Sequence, residues 1–285
     1  MSQSRLLWQY KPKGRLRHLS GLPTIHATKS DLKLRLAHGA DEIRACQKLR
    51  YRVFYEELSA TPGAAGGTDA DRFDALCDHL AVVREGTAST PDPVMLADGE
   101  LVGTYRLLRQ DVAERTGGFY SQDEFDIAPL LASHRNLRFL ELGRSCVLKP
   151  YRTKPVVELL WQGIWNYVRA HGFDVMFGCA SFEGTDPEAH AGALSFLAEY
   201  RAVPPEWRVR AVSSRYVEMK RRGRFDAKAA LRALPPLIKG YLRLGCYIGE
   251  GAVVDRQFNT LDVLIVLPVS AIDSRYFAHF GQPND

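Results

Sequence analysis

The chain has 285 residues, of which 46% are hydrophobic, 25% charged and 10% aromatic, a globular balance that excludes a disordered chain, a collagen and a disulfide-held miniprotein. No apolar run reaches the ~20 residues that span a bilayer; the best candidate, residues 261–269, is too short and carries Asp262, so it is expected as a buried strand. The net charge of +5 is concentrated in residues 1–30, where Arg5, Lys11, Lys13, Arg15, Arg17 and Lys29 meet no acid. The rest of the chain is close to neutral. A nucleic-acid footprint spreads cations over a folded face with interleaved aromatics, so nucleic acid is not an expected partner. Leu6, Leu7 and Trp8 are too brief for a secretory apolar region. With Leu16, Leu19 and Leu22 they leave two readings of the tail: weak attachment to an anionic membrane surface, or a solvated terminus.

Five cysteines (Cys46, Cys77, Cys146, Cys179 and Cys246) form no CxxC pair, which fits a reducing cytoplasm better than a disulfide framework. The eight histidines give no HExxH and no zinc-type spacing, so no metal is expected.

Residues 41–58 read as a helix, with Ile43, Cys46, Leu49, Val53 and Phe54 near helical spacing. Glycines at 63, 66 and 67 break it. Strands are expected over 79–84, 101–108 and 137–148, a helix over 156–170, a strand over 173–180 and a helix over 189–200. A mixed stretch with Lys220-Arg221-Arg222 then leads to Pro235-Pro236, a helix over 237–244 and a last strand over 261–267. No repeat or linker divides the chain, and no strand is followed by GxGxxG, the dinucleotide fingerprint. The pattern predicts an α/β fold on a mixed, mostly antiparallel sheet flanked by helices, with a tail over 1–30 and one domain over 31–285.

Charge embedded in apolar segments marks three clusters. Arg50 and Phe54, four apart on the first helix, precede Asp69, Asp71, Phe73 and Asp74; an amphipathic helix beside an acidic loop gives the same pattern. In 103–108, strand alternation puts Thr104, Arg106 and Leu108 on one face. Arg106 either snorkels at a sheet edge or enters a cleft, where its planar fork suits a carboxylate. In Glu141-Leu142-Gly143-Arg144-Ser145-Cys146, regular alternation would split Glu141 from Arg144. A bulge at Leu142-Gly143 would turn both toward one cleft and free backbone N–H groups from the ladder; an edge-strand ion pair is the competing reading. A carboxylate base, backbone donors for an oxyanion and an arginine for a substrate carboxylate together suit acyl transfer to an amine. With no GxSxG elbow to suggest a covalent route, direct attack of amine on thioester is the simpler chemistry.

The order Arg50…Phe54, Asp71…Phe73-Asp74, Arg106, Phe125, Glu141-x-x-Arg144 resembles the acyl-homoserine lactone synthases, within the GNAT-like acyltransferases. That family has a Trp after the first helix, where this chain has Leu58-Ser59-Ala60, and this chain continues further. The bacterial L-ornithine Nα-acyltransferases are more similar, through Cys77-Asp78-His79-Leu80, Phe119-Tyr120-Ser121-Gln122, Phe177-Gly178-Cys179-Ala180-Ser181-Phe182, Gly184-Thr185-Asp186-Pro187 and the run 234–245. This resemblance implies a GNAT-like fold and transfer of a 3-hydroxyacyl chain from acyl carrier protein to the α-amine of L-ornithine, giving lyso-ornithine lipid at the inner membrane face. Glu141 would be the base or would position a basic water. The acceptor would meet Arg144, Arg106, Arg50 and Phe54, with Asp71 or Asp74 pairing with the δ-ammonium or closing the acceptor loop.

No resident cofactor is implied, since the donor arrives on the phosphopantetheine of acyl carrier protein. Its arm would run past Ser145, Val147, Arg152 and Lys154. At 149–156 the coenzyme-A-type glycines are replaced by Thr153, Pro150 and Pro155, and proline removes an N–H donor, so a pyrophosphate cradle is poorly built. Lys220, Arg221, Arg222 and Arg224, with Arg152 and Lys154, are candidates for docking the acidic carrier protein. The alternatives are a homoserine lactone synthase using S-adenosylmethionine, and a membrane-attached protein that only binds acyl groups or carrier protein.

Overall fold

Strands covered on both faces appear as unbroken apolar runs, and such runs form the middle of the sheet. The computed structural model describes residues 25–273 apart from 59, 62–65, 89, 91 and 221–224. The strands that matter here are β1 His26–Lys29, β2 Leu32–Leu36, β3 Asp78–Arg84, β4 Gly99–Arg109, β5 Phe139–Val147, β6 Val175–Glu183, β7 Ala252–Asp255 and β8 Thr260–Pro268. They lie in the order β1-β2-β3-β4-β5-β6-β8-β7 within an eleven-stranded sheet. Neighbours are antiparallel except β5 and β6, which run parallel and pair only over Phe139–Glu141 and Val175–Phe177. The helices that matter here are α1 Gly39–Tyr51, α2 Lys154–His171, α3 Ala191–Tyr200 and α4 Pro236–Leu244.

The expected α/β class and mostly antiparallel sheet are present. The sheet begins earlier than expected, because residues assigned to a tail contain β1, paired with β2 from His26↔Arg35 to Lys29↔Leu32. The remaining tail, residues 1–24, lies outside the described residues. So do Arg221, Arg222 and Arg224 of the docking run. Among the described residues no helix is long and apolar enough to cross a membrane.

α2 connects β5 to β6, as a parallel pair requires. Pro155 suits its first turn, where an N–H would lack a partner, and Gly172 ends it in the left-handed region at φ 63°. Leu159, Leu160, Ile164 and Val168 recur at helical spacing and pack on Leu34, Leu80, Val82 and Leu107 of the sheet. On the opposite sheet face, Phe139, Phe177, Leu264 and Val266 pack in one core with Phe119 and Phe125. Each such side chain contributes about 1.5–3 kcal/mol when fully removed from water. Along β8, Leu261, Val263, Ile265 and Leu267 serve the first core, and Leu264 and Val266 the second. Alternation therefore directs Asp262 toward the second face.

Where β5 and β6 part, a Cβ on Gly178 would lie 2.1 Å from the Leu142 carbonyl oxygen. Only glycine permits this approach. Gly178→Ala should destabilise the fold by about 1–3 kcal/mol, read from its denaturant midpoint. An unchanged midpoint would refute the close contact.

Candidate active site

β5 has one more residue than β4 at the point where it leaves β6. Arg106 faces Gly143 and Thr104 faces Cys146, so Tyr105 alone stands opposite Arg144 and Ser145. The bulge therefore lies at Arg144-Ser145, two residues beyond its expected place at Leu142-Gly143. The residue that takes the left-handed conformation is Arg144, at φ 51°. For a residue with a Cβ this costs on the order of 1–2 kcal/mol. The Arg144 side chain holds it: Nε and Nη2 lie 3.2 Å from Asp69 Oδ2 and 3.2 Å from Asp71 Oδ2, and the guanidinium stands 4.6 Å from the Tyr120 ring centre and 4.4 Å from that of Phe258.

The bulge opens onto a cavity of about 280 Å³. Glu141, Arg144, Arg106, Ser145 and Phe54 all line it. Of the residues expected in a site, these are the ones brought together. Phe54 follows α1 in a wider π-helical stretch, Arg52–Glu57, a form often found at functional sites, and it meets Phe258 edge-on at 5.7 Å.

Glu141 is buried beneath the short turn Tyr120–Asp123. Its Oε1 accepts from the Ser121 N–H at 2.7 Å and the Ser121 hydroxyl at 2.6 Å, and its Oε2 from the Tyr120 N–H at 2.9 Å. Burial pushes its carboxyl above the ordinary range, and these donors pull it part of the way back. A carboxylate offers about four lone-pair positions, so three bonds leave Oε2 capacity for one more.

Arg50, Asp71 and Asp74 are not on the cavity wall. Arg50 is fully buried, with Nε 2.8 Å from Asp69 Oδ2 and Nη2 2.7 Å from Asp74 Oδ1. Arg106 Nη1 joins Asp71 Oδ1 at 2.7 Å and Asp74 Oδ1 at 3.2 Å. Asp71 Oδ1 also accepts from the Phe73 N–H, and Asp74 Oδ2 from Gln47 and the Asp71 N–H. Both carboxylates are thus committed to arginines and backbone, which removes the expected role of meeting a substrate ammonium. Three arginines and three aspartates form one charge-balanced, mostly buried network, with Arg106 and Arg144 on the cavity wall and Arg50 and the aspartates behind it.

The expected donor-side residues spread outward. The Val147 carbonyl accepts from Arg152 Nε at 3.0 Å, and Arg152 Nη2 meets Glu57 at 2.8 Å. Lys154 is exposed, 3.4 Å from Glu158. Sequence reasoning missed Tyr120 and Ser121, which fix Glu141, and Cys179, Asp255 and Asp262, which line the far wall. Asp262 had a legible signal, an acid inside an apolar strand. Ser121 had none, because it reaches Glu141 only through the fold.

A family model described as an acetyltransferase (GNAT) domain matches residues 49–162. An L-ornithine N(alpha)-acyltransferase of Rhizobium meliloti is 54% identical over 257 residues, 88% of this chain and 85% of that protein. Its counterpart from Brucella abortus is 50% identical, covering 88% of this chain and 89% of that protein. The solved structure of FeeM, an N-acyl amino acid synthase from uncultured soil microbes, covers 86% of this chain and 97% of its own at 12% identity, with a TM-score of 0.49. By the length and closeness of the match to its curated relatives, this chain belongs to the L-ornithine Nα-acyltransferase family.

Proposed function

We propose that this chain moves an acyl group from a thioester to the α-amine of L-ornithine. The neutral amine attacks the thioester carbonyl carbon; the amide C–N bond forms as the C–S bond breaks. The amine's proton passes to Glu141, or to a water that Glu141 orders, and leaves on the thiol. The observation that carries this reading is the single cavity that joins the Glu141 carboxylate to the bulged strand at Arg144-Ser145. A bulge takes backbone groups out of the ladder, and donors so released can meet a developing oxyanion. The relatives' names supply the acceptor.

The donor in this reading is a 3-hydroxyacyl chain on the phosphopantetheine of acyl carrier protein, and the product is lyso-ornithine lipid. Support for a carrier protein over coenzyme A comes from the start of α2, where Thr153 and Pro155 occupy a stretch that a pyrophosphate cradle fills with glycine. Ser145 and Val147 lie along the arm's path, and Arg152 and Lys154 at its outer end. Mass spectrometry tests the reaction: purified protein receives 3-hydroxyacyl-acyl carrier protein with ornithine, lysine and S-adenosylmethionine side by side. An ornithine amide is expected. A lactone, or no product with any acceptor, would overturn the proposal.

A further inference from the structure

Charge is unevenly distributed around the cavity. Arg50, Arg106 and Arg144 are matched by Asp69, Asp71 and Asp74. On the opposite side, Asp255 and Asp262 line the wall, and Glu124 lies behind it, with Arg215 Nη2 3.3 Å from its Oε1. Asp255 Oδ1 is taken by the N–H groups of Gln257 and Phe258. Glu124 Oε2 accepts from the Cys179 thiol at 3.3 Å, and the ligand atoms of Glu124, Cys179 and Asp262 all lie within 4.8 Å of one another.

Asp262 is the exceptional member. It is 6% exposed and lines the same cavity as Glu141. Ser181 and Thr260 stand beside it, yet Oδ1 is buried without a hydrogen-bond partner of good geometry. Burying an ionised carboxylate that is incompletely compensated is costly. Burial and nearby acids push the carboxyls of Glu124 and Asp262 upward, and Arg215 near Glu124 and Arg144 near Asp262 offset only part of this. A ligand that brings a positive charge relieves this cost.

We propose that Asp262, backed by Glu124, forms the pocket for the side-chain ammonium of the amino-acid acceptor, selecting substrates with a second, distal amine. This rests on the reading of the chain as an acyltransferase for the α-amine of ornithine. Ser121 and Cys179 separate this pocket from the base: the Ser121 hydroxyl meets Glu141 at 2.6 Å and the Cys179 sulfur at 3.5 Å. A distal amine held by Asp262, with the charge of Glu124 behind it, stays protonated and unreactive, and the α-amine alone reaches Glu141.

The test compares ornithine with norvaline, which has the same carbon chain but no distal amine, in turnover and in calorimetric binding. Wild type should favour ornithine by about 100-fold or more. Asp262→Asn should cut that preference at least about tenfold through KM for ornithine, and Glu124→Gln should act in the same direction. Equal losses for both amino acids, or a wild type that treats them alike in turnover and binding, overturns the pocket and leaves α-amine acylation standing. A wild type that binds ornithine over norvaline through Asp262, yet acylates neither, supports the pocket and overturns the reaction. Stoichiometric Zn²⁺ uptake that Asp262→Asn abolishes, with no ornithine preference, assigns the cluster to a metal and overturns the proposal.

Discussion

Glu141→Gln should lower kcat for ornithine by about 10²–10⁴-fold, the usual range for loss of a positioned base, while the protein still folds. The amide oxygen can keep both Ser121 bonds, but an NH₂ group then faces the Tyr120 N–H, leaving donor against donor. One unsatisfied buried donor costs about 1–3 kcal/mol, so the variant should melt lower and remain cooperative. In wild type the base must be ionised, and burial raises its carboxyl. Activity should therefore fall toward acid at a pH above the ordinary glutamate range, and this limb should vanish in the variant. Product formation at saturating ornithine across pH, with a melting curve for each protein, checks both statements. A kcat within threefold of wild type would remove Glu141 from the chemistry.

Arg50→Ala should have the larger effect on stability, about 3–5 kcal/mol by denaturant unfolding. The intact network contributes little net stability, because bringing six charges out of water nearly cancels their attraction. Deleting one arginine leaves Asp69 and Asp74 buried and undercompensated, and that imbalance is what destabilises. Burial alone would raise the Asp74 carboxyl, but Arg50 and Arg106 outweigh it and hold it at about 2. Its folded value lies below its unfolded one, so its stabilising contribution is complete above the ordinary aspartate value of 3.8 and is lost as pH falls through about 2. Arg50→Ala should flatten that acid dependence. A variant with wild-type stability and an unchanged acid limb would show that the network is not the clamp described here.

The long strands were legible because both of their faces are covered: β3, β4 and β8 announce themselves as apolar runs, and α1, α2 and α4 as periodic ones. β1 and β2 were not, since His26–Lys29 and Leu32–Leu36 are short and more than half charged or polar. The cluster of Glu141, Arg144 and Arg106 was visible as charge among apolar neighbours. Its wiring was not. Glycine at 143 pointed to a bulge near the right place, but the positive φ fell on Arg144, because aspartates some seventy residues earlier in the chain grip its guanidinium. Asp71 and Asp74 looked like substrate ligands for the same reason: local sequence does not show that arginines already occupy their oxygens.

The parallel contact between β5 and β6 spans three residue pairs, whereas β8 and β6 pair over nine. The sheet is therefore two well-laced antiparallel panels stitched along a short seam, and the cavity opens where the stitching stops. Widening the cleft strains that seam before it disturbs either panel. Compliance is confined to the line along which the cavity opens, and the groups that must stay in register are carried on the stiff ground to either side.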